Sequence, residues 1–405
     1  MKRLILGVCL LAGGLLACHP ANEKNNVPIP SPSEAVVLSL SAPLGLPPVP
    51  LSKDNSLTQT KVNLGRKLFM DRRLSHNNTM SCAMCHVPEQ GFTSNELGAA
   101  IGLEGRSLRR NAPSLFNVAY VQQLFHDGRE FSLENQVLGP LLASNEMANP
   151  SIGYVIEKIR IMPDYMGLFE AVFGGRGATV ETIGAALASY ERTMVSGNSR
   201  FDRWHYGKEE NAFNSTQQAG FRVFSGKANC IACHSVGERS ALFSDNRFHN
   251  TGIGWARSMG DKGGKHKVQL APGVVVDVED SIVQRFSEAQ QGDVGRYEVT
   301  LDPADSWAYR TPTLRNIALT APYMHDGSLA TLEEVVEFYD RGGIDNPHKD
   351  PLLKPLRLTA EEKRTLIAFL NTLTGDNVKK LEEEARAEPI DQQIPEVDPA
   401  SQYRP

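Results

Sequence analysis

The sequence lacks any long apolar run beyond its first 17 residues, and it lacks a surplus of positive charge. The first absence removes a polytopic membrane protein, since a spanning helix needs about 20 apolar residues. The second, 42 Lys and Arg against 47 Asp and Glu for a net charge of −5, removes the cationic field that gathers phosphate backbones, so no nucleic acid is expected as a partner. Cysteine is also scarce, six residues in 405. They stand at 9, 18, 82, 85, 230 and 233, two in the leader and four in close pairs, which is not the spread of a disulfide framework. With 41% hydrophobic residues the chain can still build cores, and its length leaves room for two domains.

Lys2 and Arg3 precede an apolar run from Leu4 to Ala17, too short for a mature spanning helix and suited to a secretory signal over residues 1–17. Leu15-Leu16-Ala17-Cys18 has the form of a bacterial lipobox, with cleavage before Cys18 and lipidation of its thiol; an ordinary signal with Cys18 incidental is the other reading. Residues 18–52 are rich in Pro, Ser and Asn, as in a tether that buries no core. The expected location is the periplasm, with a lipid anchor as the only link to a membrane.

The remaining cysteines form Cys82-Ala83-Met84-Cys85-His86 and Cys230-Ile231-Ala232-Cys233-His234, each the C-x-x-C-H pattern of covalent c-type haem attachment. Two thiols one helical turn apart can add to the two vinyl groups of one porphyrin, and the adjacent histidine then ligates the iron. A zinc site would ask for a second C-x-x-C near each pair, and a thioredoxin-like motif would not repeat with a histidine in register.

The two motifs belong to a duplication. Pro113, Asn117, His126, Asp127, Gly128 and Leu133-Glu134 recur at Pro312, Asn316, His325, Asp326, Gly327 and Leu332-Glu333, each 199 residues further on. His86 and His234 are only 148 apart, so the second half carries a net insertion of 51 residues after its haem motif, with a hairpin expected within Gly254 to Val278. Helical periods run near Val62 to Phe69, Ile152 to Phe173, Val180 to Met194, Thr216 to Phe224 and Ala360 to Leu373. The predicted fold is all-α with little β structure: two c-type cytochrome domains related by internal duplication, at 53–212 and 213–380, the second with an insertion at about 250–305, followed by a solvated tail at 381–405.

In the second half a capping box at Thr331 and Glu334 opens a helix stopped by Gly342-Gly343, with Leu332, Val335, Val336 and Tyr339 on one face. Tyr339 is then either a core tyrosine bonded to backbone or an axial ligand to the second haem. The equivalent helix of the first half puts Gln136 where Val335 stands, and Glu146 follows after Pro140, expected to end that helix. An amide and a carboxyl over an open haem face are what peroxide cleavage asks for; a capping Gln and a solvated Glu are the other reading.

These motifs, with Arg110-Asn111-Ala112-Pro113, Phe125-His126-Asp127-Gly128-Arg129, Arg310 to Asn316 and Ala321 to Gly327, resemble the bacterial dihaem cytochrome c peroxidase and MauG family over about Leu64 to Leu373. The resemblance implies a hydrogen peroxide-using oxidoreductase with a peroxidatic N-terminal haem, an electron-transfer C-terminal haem, and one calcium ion between the domains held by Asn111 and the carbonyls of Thr320 and Pro322. It assigns His86 and His234 as proximal iron ligands and Gln136 and Glu146 to peroxide activation. Three departures from the common pattern stand out. No histidine lies between Val87 and Gln123 to block the first iron, so that site is expected to be open in the oxidised protein. Tyr339 occupies the position of the usual axial methionine, as in MauG, with Met324 as a rival ligand. His126 replaces the tryptophan usually found between the haems, and ligation of iron by His126 or His325 is the minor reading of those residues. MauG-like high-valent chemistry implies oxidation of a partner protein at Trp or Tyr; the alternatives are a peroxide-detoxifying enzyme fed by a small cytochrome c or cupredoxin, and a non-catalytic electron carrier.

Overall fold

The computed structural model describes residues 37–259, 265–271, 274–279 and 292–387. The signal, the lipobox with Cys18, the front of the tether and the end of the tail lie outside the described residues. Within them the chain is helical apart from two small antiparallel pairs. The helices used below are α1 (Gln59–Met70), α2 (Leu133–Gln136), α3 (Leu138–Leu142), α4 (Ile152–Ile161), α5 (Val180–Glu191), α6 (Ser215–Ser225), α7 (Leu332–Asp340), α8 (Ala360–Leu370) and α9 (Val378–Arg386). The strands are β1 (Phe248–His249), β2 (Lys265–Ala271), β3 (Val274–Glu279) and β4 (Tyr309–Arg310).

Each half is built on one close helix pair. In the first, α1 crosses α5 so tightly that a β-carbon on Gly65 would lie 2.0 Å from the Ala186 carbonyl oxygen. In the second, α6 crosses α8 with Gly220 placed the same way, 1.9 Å from the Thr365 oxygen. The duplication is therefore visible in packing as well as in sequence. Around these pairs lie two apolar cores. One gathers Leu68, Phe69, Val155, Ile183 and Leu187, the other Phe201, Phe224, Phe243 and Phe369. Because Phe201 belongs to the second core, the change from one core to the other comes before residue 201 and not at 212.

The insertion is closed at its base by β1 pairing with β4, and the expected hairpin is β2 with β3. Other expectations need correction. The helical period from Ile152 to Phe173 is interrupted: α4 stops at Met162 because Pro163 follows, and a second short helix starts at Leu168. Pro140 does not end the helix before Glu146 but sits in the first turn of α3, where its missing N–H costs no hydrogen bond. The capping box at Thr331 is half of one: Thr331 Oγ1 accepts from the Glu334 amide, but the Glu334 carboxylate accepts from Ala330 N–H at 2.6 Å instead of from the cap residue.

Neither end of the described chain is loose. Arg315 donates from one side of its guanidinium to the Gly45 carbonyl at 2.6 Å and forks buried Asp202 at 2.8 and 2.9 Å, so residues near 45 are nailed to the second half and are not a free tether. Residues 378–386 are likewise not a solvated extension. They form α9, whose Val378 and Ala385 are buried in the core of the first half with Leu381 packed against it, because these three apolar residues fall on one side of an otherwise charged helix.

Candidate haem and peroxide sites

Both C-x-x-C-H motifs close one helical turn. The His86 N–H donates to the Cys82 carbonyl at 2.9 Å and the His234 N–H to the Cys230 carbonyl at 2.8 Å. All four thiols are free of disulfides. His86 Nδ1 donates to the Phe92 carbonyl at 3.1 Å, and His234 Nδ1 to the Phe243 carbonyl at 2.8 Å. A carbonyl can only accept, so each imidazole carries its proton on Nδ1 and keeps the Nε2 lone pair for a metal. Burial holds both histidines below their ordinary pKa, against the backbone carbonyls of Phe92 and Pro113 in one half and Phe243 and Pro312 in the other. The donor set thus fits two covalent haems, with neutral His86 and His234 as the ligands.

The two residues expected at the first site lie on α2 and in the turn that follows α3. Gln136 is half-buried at the end of α2, one turn from buried Leu133, and among the described residues its side-chain amide has no hydrogen-bond partner. Glu146 lies in a turn fixed on both sides: its N–H donates to the Ala143 carbonyl at 2.9 Å, and its carbonyl accepts from Leu103 at 3.0 Å. Gly102 makes that approach possible, since a β-carbon there would lie 1.9 Å from the Asn145 oxygen. Burial raises the Glu146 carboxyl above its ordinary pKa and the Arg129 guanidinium opposes the shift. The Glu146 charge also reaches the first haem motif: after burial, it is the group that pushes Cys85 up to about 11. Arg129 is itself held by Asp127 at 2.9 Å and lies 3.4 Å over the Phe125 ring.

In the second site Tyr339 is half-buried on α7, and among the described residues its hydroxyl has no hydrogen-bond partner. Burial raises its pKa, and the sulfurs of Cys230 and Cys233 push the same way, so the ring faces the second haem motif. The expected inner face of α7 is only partly right. Leu332 and Val336 are buried, but Phe338 is the third buried residue, while Val335 and Tyr339 are half-buried.

Between the halves, Arg110 bridges Asp127 and Asp293 at 2.6 Å each, the Asn111 N–H donates to the His325 carbonyl at 2.7 Å, and the Arg310 N–H donates to the His126 carbonyl at 2.8 Å. The two loop histidines differ here, since His325 Nε2 is buried without a hydrogen-bond partner among the described residues. His126 Nε2 donates to the Asn111 carbonyl at 2.9 Å, and the His325 ring stacks on Tyr309 at 3.5 Å. Asn111 Nδ2 donates to the Gly98 carbonyl at 3.0 Å, and among the described residues neither its Oδ1 nor the carbonyls of Thr320 and Pro322 accept a hydrogen bond.

Several members of these sites were not singled out from sequence. Glu134, read only as part of the duplication, is forked by Arg192 at 2.6 and 2.9 Å and fixes α2 to the end of α5. His249 is gripped on both nitrogens, by Asp350 at 2.5 Å and Asp245 at 2.9 Å, beside Cys233. Hydrogen bonding by Cys233 and then by the two carboxylates raises its pKa to about 10. The i, i+4 spacing of Asp245 and His249 was the only local signal.

Comparison with known proteins agrees with this arrangement. The family description "Di-haem cytochrome c peroxidase" matches residues 59–210. The chain is 39% identical over 349 residues to cytochrome-c peroxidase IdrP1 of Denitromonas iodatirespirans, covering 82% of this chain and 86% of that protein. It is 37% identical over 333 residues to methylamine utilization protein MauG of Methylorubrum extorquens, covering 81% and 82%. The crystal structure of a MauG-like protein associated with microbial copper homeostasis superposes with a TM-score of 0.68 at 33% identity, over 86% of this chain and 98% of that one. With two haem-ready histidines in a duplicated helical fold and relatives of this closeness along four fifths of its length, the chain belongs to the dihaem cytochrome c peroxidase and MauG family of hydrogen peroxide-using oxidoreductases.

Proposed function

We propose that His86 would hold the haem that handles peroxide, that His234 and Tyr339 would hold the haem through which electrons are drawn, and that the oxidising equivalents are used in MauG-like fashion on a Trp or Tyr of a partner protein. The observation that carries this reading is a contrast between the halves: Gln136 stands where the second half has apolar Val335, a raised carboxyl, Glu146, acts on the first motif, and a phenol, Tyr339, lies by the second. When bound, haem supplies the cleavage of peroxide and the storage of electrons. Glu146, whose carboxyl burial raises above its ordinary pKa against the pull of Arg129, moves a proton between the peroxide oxygens. The unpartnered Gln136 amide orients peroxide or water, and Tyr339 offers a hard oxygen that lowers the reduction potential of the second haem. The stretch without histidine from 87 to 123 supports an open first site. A calcium ion held by Asn111, Thr320 and Pro322 is supported by three oxygens without donors, and a periplasmic, lipid-anchored location by the leader ending in Cys18.

A second reading, a peroxidase fed by a small cytochrome c or cupredoxin, is favoured by the names of the peroxidase relatives. Stoichiometric hydrogen peroxide added to the diferric protein, followed by optical and Mössbauer spectra, separates them. Both iron sites changing together supports the MauG-like reading, a change at one site supports the plain peroxidase, and an inert protein supports an electron carrier and sinks both.

A further inference from the structure

Glu191 is a carboxyl that the roles above leave unused. It closes α5 with 6% of its surface exposed, and its Oε2 has no hydrogen-bond partner among the described residues. An ionised carboxylate in that position would be strongly disfavoured. Burial raises it to about 8, against the pull of Arg192 and with the push of Glu134, so it carries its proton at neutral pH. The charged or titratable groups that face it are those two and Cys82, whose own pKa is raised first by burial and next by Glu191. Glu134 belongs to the helix that ends in Gln136, and Arg192 forks it. Glu191 is thus built into the wall that carries Gln136 and stands near the first haem motif.

Reduction of hydrogen peroxide to two waters takes up two electrons and two protons. Glu146 can pass a proton from one peroxide oxygen to the other, but that relay adds none to the total. We propose that Glu191 is the buried proton store of the first haem site. As the O–O bond breaks, the oxygen that received the relayed proton leaves as water and the other takes up the two electrons that the haems would supply; the Glu191 O–H bond breaks as an O–H bond forms on this retained oxygen, and solvent later returns a proton to the carboxylate. The second proton comes from solvent. This inference rests on peroxide being cleaved at the His86 haem.

The test uses the haem-loaded protein. Infrared spectra across pH should show a protonated carboxyl band that fades as pH rises through about 8, is absent in Glu191→Gln and persists in Glu146→Gln. In single turnovers with stoichiometric peroxide and a pH-indicator dye, the wild type should take up its second proton after the optical change; Glu191→Gln should react about 10²-fold more slowly, with uptake in step with the reaction. Glutamine keeps shape and neutrality, so a purely structural role predicts an unchanged rate. A wild type with no such band overturns the proposal even if the variant fails to load haem. An inert wild type overturns the peroxide reading itself, whereas a reacting protein whose Glu191→Gln variant matches it overturns only the role of Glu191.

Discussion

The two halves hold their haem histidines alike and treat the opposite side differently. His86 and His234 each donate Nδ1–H to a phenylalanine carbonyl, and each is flanked by the proline of the repeated loop. Beyond those histidines the halves diverge: a raised carboxyl, Glu146, acts on the first motif, a phenol, Tyr339, lies by the second, and Gln136 stands where the second half has Val335. A duplicated scaffold has kept what would fasten the cofactor and changed these side chains. On the proposed reading, division of labour between the sites rests on them.

That contrast can be broken in graded ways. The largest effect is expected from replacing Cys82 and Cys85 together with serine: absorbance should fall to one haem per chain and the peroxide response should vanish, while a retained response would move the reactive site to the second half. Glu146→Gln should leave both haems attached and slow the peroxide reaction by about 10²–10⁴-fold in stopped-flow traces; an unchanged rate removes Glu146 from the chemistry. Tyr339→Met should raise the potential of the second haem by a sizeable part of the roughly 0.8 V that axial ligands command, read by spectroelectrochemistry. If the potential stays put, Tyr339 is a core residue. The smallest effect is expected from Gly102→Ala, which pushes against the Asn145 carbonyl and should cost about 1–3 kcal/mol, seen as a lower Tm. Gly153→Ala, whose added β-carbon would meet nothing nearer than 3.7 Å, serves as its control.

What was legible in the sequence was whatever is local or repeated. The C-x-x-C-H motifs need five consecutive residues, the duplication declares itself by a constant offset, and Tyr339 follows from its place one turn after Val335 and Val336 on α7. Pairings across long separations left no trace. The Arg192 fork on Glu134 spans 58 residues and the Arg110 bridge to Asp293 spans 183, and nothing in either neighbourhood announces the other partner. Glu191 was hidden for the same reason, because its burial is created by α1 and α2 and its own helix reads as ordinary. Proline was misjudged at 140 and underused at 163, since its effect depends on where in a turn it falls. The course of α9 was missed because three apolar residues among charges look like surface until a groove is there to receive them.

That helix has a consequence for how the molecule comes apart. The last described segment of the chain crosses back from the second half to plug the first, where Val378 and Ala385 complete the core and Arg66 reaches the Glu384 carbonyl. At the opposite end, Gly45 is pinned by Arg315. Each half therefore borrows a piece of chain from beyond its partner, like two hands clasped with interlaced fingers. A cut between residues 195 and 201 would not release two self-sufficient modules, and heating should melt both halves in one transition instead of two.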